Sequence, residues 1–272
     1  MDFTQRKKEA QNNKIKDLAN FIAGDFIDNS SIDLDRLVND ESIMLHYDHY
    51  EKSFDGLLIY DRSNFFIHLD IDSGNFKDSK RSRFSIAHEL GHYFIPEHHQ
   101  AIINGTFPLH PSRFNPCQRN EIEGQADIFA STLLMPGSIF KEACYRQKFS
   151  LKLIDELSER FKVSKLSTLL RFTDIDAGTY PVMIFFFQNG FLNWFKASDD
   201  FPFRNVPFKS KIGNPPPPTS AIGEFYLKNE SKFNDVQQVY ADDWFWVNST
   251  MKLNEQCFYS EYGYDISVIW PD

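Results

Sequence analysis

The sequence predicts an α+β chain in two domains, a helix-rich region with a small sheet over residues 1–178 and a β-rich, aromatic region over 179–272. Three observations predict it. Apolar residues recur at three- and four-residue steps through much of the first 175 positions, as helices burying one face require. Aromatic residues make up 16% of the chain, with 28 Phe, and concentrate in the last third, a composition that favours strands. Within that third, Asn189-Gly190 separates two aromatic runs, a signal for a type I′ hairpin. At 272 residues and 31.8 kDa the chain is long enough for a full core.

Each element has its own signal. Ile15, Leu18, Phe21, Ile22 and Phe26 mark an amphipathic helix over 5–27, and Asp33 caps a short helix over 34–38. Runs at 57–60 and 65–71 flank the polar turn Asp61-Arg62-Ser63-Asn64 and read as a hairpin. A helical pattern from Arg83 to Phe94 is stopped by Pro96, and residues 97–118, with Pro108, Pro111 and Pro116, read as loop. Helices follow over 120–135, 139–146, 151–161 and from 163 to near 172. Beyond Tyr180, strand-like segments surround Phe225, 244–247, 256–259 and 266–270.

Net charge is −9 and no stretch reaches 18 apolar residues, so neither nucleic acid nor a membrane is an expected partner. The helical pair across 157–170 has spacing found in many bundles and carries no DNA-binding expectation here. The three cysteines, Cys117, Cys144 and Cys257, show no paired spacing, and the N-terminus lacks a secretory apolar core. A reducing cytoplasm is the expected setting.

The chemistry lies in His88-Glu89-Leu90-Gly91-His92. A chain with 8 His reaches an H-E-x-x-H pattern by chance with a probability of about 0.01. Residues four apart on a helix differ by about 40° and about 6 Å, so both imidazoles reach one ion while Glu89 lies beside them to hold a water. A third protein ligand is required. The favoured candidate is Glu123, with Asp127 one turn later placed to accept a ring N–H of His88. His98 has the spacing of a third histidine in H-E-x-x-H-x-x-G-x-x-H, but Ile95 stands where that pattern needs glycine. Glu97 and Glu121 are the remaining alternatives. Two imidazoles and a carboxylate suit Zn2+ better than Mn2+.

Arg83-Phe84 leading into Ala87-His88-Glu89-Leu90-Gly91-His92, together with Glu121-x-Glu123-x-x-Ala126-Asp127-x-Phe129-Ala130-x-x-Leu133-Leu134-Met135-Pro136, resembles the ImmA/IrrE family of metallopeptidases over roughly residues 50–175. The resemblance implies a zincin-like domain with a gluzincin-like site: His88, His92 and Glu123 as zinc ligands and Glu89 as general base. It also implies a protein substrate, a helix-turn-helix repressor of a phage, mobile-element or stress regulon. Gln125-Ala126 departs from the Glu-Ala common in the family, and no helix-turn-helix domain is evident at the N-terminus. The aromatic C-terminal domain occupies the place where some relatives carry a sensor, so a small-molecule or protein signal is expected there. The hairpin at 57–71 precedes the active helix as an edge strand does in zincins, where an extended substrate pairs. The alternative function is a metal-containing regulator that inactivates a repressor by docking without cutting. No oxyanion-stabilising residue is assigned.

Overall fold

The computed structural model describes residues 3–106, 111–113, 120–228, 235–259 and 264–272. They fall into two compact units, one formed by Met1–Ala143 with Asp155–Thr168, the other by Cys144–Ile154 with Leu169–Asp272. Expectations for Pro108, Pro116 and Cys117 lie outside the described residues; Cys144 and Cys257 are buried free thiols.

The first unit opens with helix α1 (Phe3–Phe26). Its buried stripe is Ile15, Ala19, Ile22, Ala23 and Phe26, a strict three/four spacing, while Phe21 falls one residue off that stripe and is exposed. A two-residue ribbon, β1 (Ile27–Asp28) with β2 (Ser31–Ile32), leads to α2 (Leu34–Asp40), whose first turn is capped by Asp33 accepting from the Arg36 N–H at 3.0 Å. Strands β3 (Met44–Asp48), β4 (Gly56–Asp61) and β5 (Asn64–Asp70) form a sheet in the order β3-β5-β4. β4 and β5 make the expected hairpin, and both turn residues, Arg62 (φ 47°) and Ser63 (φ 71°), take the positive φ that a type I′ turn demands. β3, which the apolar pattern does not reveal, pairs parallel to β5.

Helix α3 (Lys80–Phe94) starts at Ser79, whose hydroxyl accepts from the Ser82 N–H. Pro96 does end it, but the chain then turns straight into α4 (Pro96–Ile103). This corrects the loop expected from residue 97: proline lacks only an N–H that the first helical turn leaves unbonded anyway, so it starts a helix as readily as it stops one. Helix α5 (Glu121–Leu134) is capped by Asn120. α6 (Gly137–Cys144), α7 (Leu151–Phe161) and α8 (Lys165–Phe172) follow, and the chain passes between the two units within this stretch.

The second unit is built on an antiparallel five-stranded sheet in the order β7-β6-β10-β9-β8, made of β6 (Met183–Gln188), β7 (Phe191–Ala197), β8 (Gln237–Tyr240), β9 (Lys252–Tyr259) and β10 (Tyr264–Pro271). Asn189 (φ 53°) and Gly190 (φ 80°) form the predicted tight turn between β6 and β7. Alternate residues of β6 serve the two faces. Met183, Phe185 and Phe187 join Phe201, Phe203, Trp244 and Phe245 in one core, where Phe185 stacks on Trp244 with ring centres 4.0 Å apart. On the other face Phe186 lies between Trp194 and Tyr264, 5.0 Å from each.

Two strand expectations in this unit are corrected. Phe225 lies in helix α9 (Ala221–Lys228), and residues 241–244 form the short helix α10 (Ala241–Trp244), with Phe245 making only an isolated bridge to Phe208. Both segments meet Glu255 on β9, which is fully buried. Its carboxylate accepts from the Ala221 and Ile222 N–H groups at the start of α9, from the Trp244 indole and from the Ser267 hydroxyl, at 2.7 to 3.1 Å. Burial raises the pKa of this carboxyl, against the pull of the Trp244 indole and the other donors. Ser220 caps α9 locally, its hydroxyl accepting from the Gly223 N–H at 3.1 Å, whereas the contact with Glu255, more than thirty positions downstream, leaves no local trace.

Candidate metal centre

α3 and α5 cross where both helices are thin. A β-carbon on Gly91 would lie 3.0 Å from the Ala126 Cα and 3.2 Å from its carbonyl oxygen. The groups that matter sit at matching offsets from this contact. His88 and His92 are three residues before and one after Gly91, and Glu123 and Asp127 are three before and one after Ala126. Close approach of the two backbones therefore brings all four side chains to one place.

His88, His92 and Glu123 are buried together and form a group able to hold a metal ion. His88 Nε2 and His92 Nε2 are 3.3 Å apart. Glu123 presents Oε2 at 3.3 Å from the first and Oε1 at 3.2 Å from the second. Each imidazole thus faces its own oxygen of the Glu123 carboxylate, and the two rings and the carboxylate together form a triangle of donor groups. Two imidazole nitrogens and a carboxylate are a donor set suited in chemistry to a metal such as zinc. His98, Glu97 and Glu121 are not part of this group; the two glutamates are exposed.

The surroundings separate the roles of the four carboxyl and imidazole neighbours. Asp127 Oδ1 lies 2.9 Å from His88 Nδ1, the ring nitrogen that faces away from the donor triangle. Burial alone pulls the His88 pKa down, but the carboxylates of Asp127 and Glu123 outweigh it and push it up to about 10. Burial likewise acts to raise Glu123, yet its contacts with His88 and His92 hold it well below the usual carboxylate range.

Glu89 differs from both. It is 1% exposed, and its Oε1 has no hydrogen-bond partner among the described residues. Burial pushes its carboxyl up to about 7, against the opposing charge of His88. A buried carboxyl oxygen with no partner among the described residues, beside these donor groups, is placed to accept a hydrogen bond from a small polar molecule. The cradle for Glu89 is Gly56 on β4, where a β-carbon would stand 2.7 Å from Oε1. Buried Ser112 pairs with the same glycine: the Asp55 N–H donates to Ser112 O at 2.7 Å and the Ser112 N–H to Gly56 O at 3.0 Å. Among the described residues β4 is thus the edge of its sheet, with residues 111–113 joined to its beginning. Neither Gly56 nor Ser112 is singled out by the sequence, since their relation to Glu89 arises from a strand and a segment distant from the motif.

Residues 60–173 match the family model of the IrrE N-terminal-like domain, Peptidase_M78. This segment belongs to the ImmA/IrrE family. The IrrE N-terminal-like domain contains both motifs, and with it the chain carries a metallopeptidase-type domain followed by a β-rich region. None of the curated proteins matches the chain at a significant level. Among solved structures, a Mycobacterium tuberculosis transcriptional regulator is similar in fold, with a TM-score of 0.61 at 13% identity, covering 96% of this chain and 78% of that one. Among the described residues no helix is long and apolar enough to cross a membrane.

Proposed function

We propose that the protein is a zinc-dependent endopeptidase acting on a protein substrate, in which His88, His92 and Glu123 hold the metal, Glu89 is the general base and Asp127 orients His88. The observation that carries this reading is the buried group of His88, His92 and Glu123, whose ring Nε2 atoms lie 3.3 Å apart and each 3.2 to 3.3 Å from one oxygen of the carboxylate, beside a buried Glu89 oxygen with no partner among the described residues. Zinc, when bound, supplies Lewis acidity that polarises the scissile carbonyl and acidifies water. Glu89 takes a proton from the attacking water and returns it to the departing amine, a task suited to a carboxyl whose pKa is near neutrality. Asp127 accepts the Nδ1 proton of His88, keeping Nε2 free to ligate. The β4 edge beyond Gly56 offers main-chain groups to an extended peptide.

The family resemblance supports a helix-turn-helix repressor as the substrate, and the similar fold of a transcriptional regulator agrees with a regulatory role. We assign the peptidase to residues 1–178 in a cytoplasmic protein, and the aromatic region 179–272 to reception of a small-molecule or protein signal.

Metal analysis together with repressor cleavage tests the reading. Wild type is expected to carry one zinc per chain, and His92→Ala and Glu123→Ala to carry well below one. Glu89→Gln should keep its zinc and lose at least ~100-fold in hydrolysis. A repressor released equally well by Glu89→Gln would show docking without cutting. Gly56→Ala gives a graded check: its new methyl displaces Glu89, so cleavage should fall ~10-fold or more with metal content unchanged. Unaltered cleavage by Gly56→Ala would remove Glu89 Oε1 from the role given to it.

A further inference from the structure

His92 is engaged from both ends of its ring. Its Nε2 belongs to the donor triangle, and its Nδ1 lies 3.2 Å from Nδ1 of His98 on α4. His98 is 3% exposed and places Nε2 2.9 Å from Oε1 of Gln125 on α5. A side-chain amide, an imidazole and a second imidazole, from three different helices, thus form one line ending at the metal centre. We propose that His98 and Gln125 are positioning residues that hold His92 in the tautomer whose Nε2 lone pair faces the metal; the inference rests on the peptidase reading of the same site.

The reasoning is a count of ring protons. Two Nδ1 atoms in contact need one donor and one acceptor. The Gln125 carbonyl oxygen only accepts, so His98 Nε2 carries hydrogen, and a neutral His98 then has a bare Nδ1. His92 Nδ1–H donates to it. The single proton of a neutral His92 is thereby kept on Nδ1, and Nε2 is left unprotonated between His88 and Glu123. With Gln125 turned so that its amide N–H faces His98, every bond in the line reverses and the proton lands on His92 Nε2, where it blocks a ligand position. The orientation with Oε1 toward His98 is therefore the one compatible with metal.

The line performs for His92 what Asp127 performs for His88, with one physical difference. Glu89, Glu123 and Asp127 already gather three carboxyl groups around the centre. An imidazole backed by an amide gives His92 a directional acceptor without a fourth negative charge. His98 thus belongs behind a ligand; the third-ligand position that sequence spacing suggested for it is filled by Glu123 in the donor triangle.

Chelator competition for zinc on the full chain, with cobalt substitution and its visible absorption as a second readout, tests the proposal. His98→Phe, which fills the space without an acceptor, and Gln125→Leu should each weaken zinc by ~10–100-fold and alter the cobalt spectrum. His98→Gln, which can offer its amide oxygen to His92, should recover binding to within a few-fold of wild type. Zinc affinity within twofold of wild type in both His98→Phe and Gln125→Leu overturns the proposal. Complete metal loss in His98→Phe with retention in Glu123→Ala overturns it too, by making His98 a ligand. Should His98→Phe not fold, Gln125→Leu, at a partly exposed position, decides alone. A wild type that takes up no zinc defeats the peptidase reading, whereas variants that match a zinc-binding wild type defeat only this inference.

Discussion

Gly91→Val is expected to cost about 3 kcal/mol of stability and to drop bound zinc well below one per chain. Glycine inside a helix is itself unfavourable by about 1 kcal/mol relative to alanine. It stands in the middle of α3 because α5 passes so close. The first added carbon would meet the Ala126 Cα at 3.0 Å and its carbonyl oxygen at 3.2 Å, both backbone atoms that no rotamer change can move. Valine adds two further methyl groups, and overpacking of this kind typically costs 1–3 kcal/mol, occasionally more. The two helices must part. Two corners of the donor triangle sit on α3 and one on α5, so separation stretches two of its three edges. Denaturant unfolding and metal analysis of the purified variant check both halves. A Gly91→Val protein with wild-type stability and one zinc per chain would show that the close crossing does not assemble the centre. Gly91→Ala should fall between the two, since its single methyl asks for only a few tenths of an ångström.

The second large effect is expected from Glu255→Leu, at about 4 kcal/mol or more. Leucine fills much of the space but strands four donors: the Ala221 and Ile222 N–H groups, the Trp244 indole and the Ser267 hydroxyl. Each buried donor left unsatisfied costs about 1–3 kcal/mol. Glu255→Gln keeps one accepting oxygen and turns an amide N–H toward donors, so its loss should be about half as large. Tryptophan fluorescence reads the result selectively, because Trp194, Trp244, Trp246 and Trp270, all four in the chain, lie in the second unit. An unchanged fluorescence midpoint for Glu255→Leu would mean that α9 does not depend on its distant cap.

These two positions also mark what a sequence can and cannot disclose. The meeting of His88 with His92 was legible because a four-residue step on one helix fixes it locally. The Asp127 contact was legible for the same reason, once Glu123 had placed α5 beside α3. Asn189-Gly190 and Arg62-Ser63 announce their turns through backbone conformation alone. α9 stayed hidden because Phe225-Tyr226 favours a strand and outweighed the local cap at Ser220, and β3 because its residues alternate between exposed and half-buried, leaving no apolar pattern to read. α4 was masked by the double meaning of Pro96. His98 looked like a candidate ligand because spacing records distance along the chain and not the direction in which a ring points. Gly56 and Ser112 became visible only with the fold that sets them against Glu89.

The matching offsets around Gly91 and Ala126 have a consequence for portability. Each helix carries the same short phrase: a functional side chain, two intervening residues, a small residue, and a second functional side chain. One phrase reads His-Glu-Leu-Gly-His and the other Glu-Gly-Gln-Ala-Asp. Two five-residue windows and a single point of contact thus bring together the three residues able to hold a metal ion and the Asp127 carboxylate behind His88; Glu89 comes along within the first window. The meeting of His88 with Glu123 and Asp127 is thereby written into two short segments, whereas Glu89 and His92 also lean on Gly56 of β4 and His98 of α4, so a transplanted centre must carry those two supports with it.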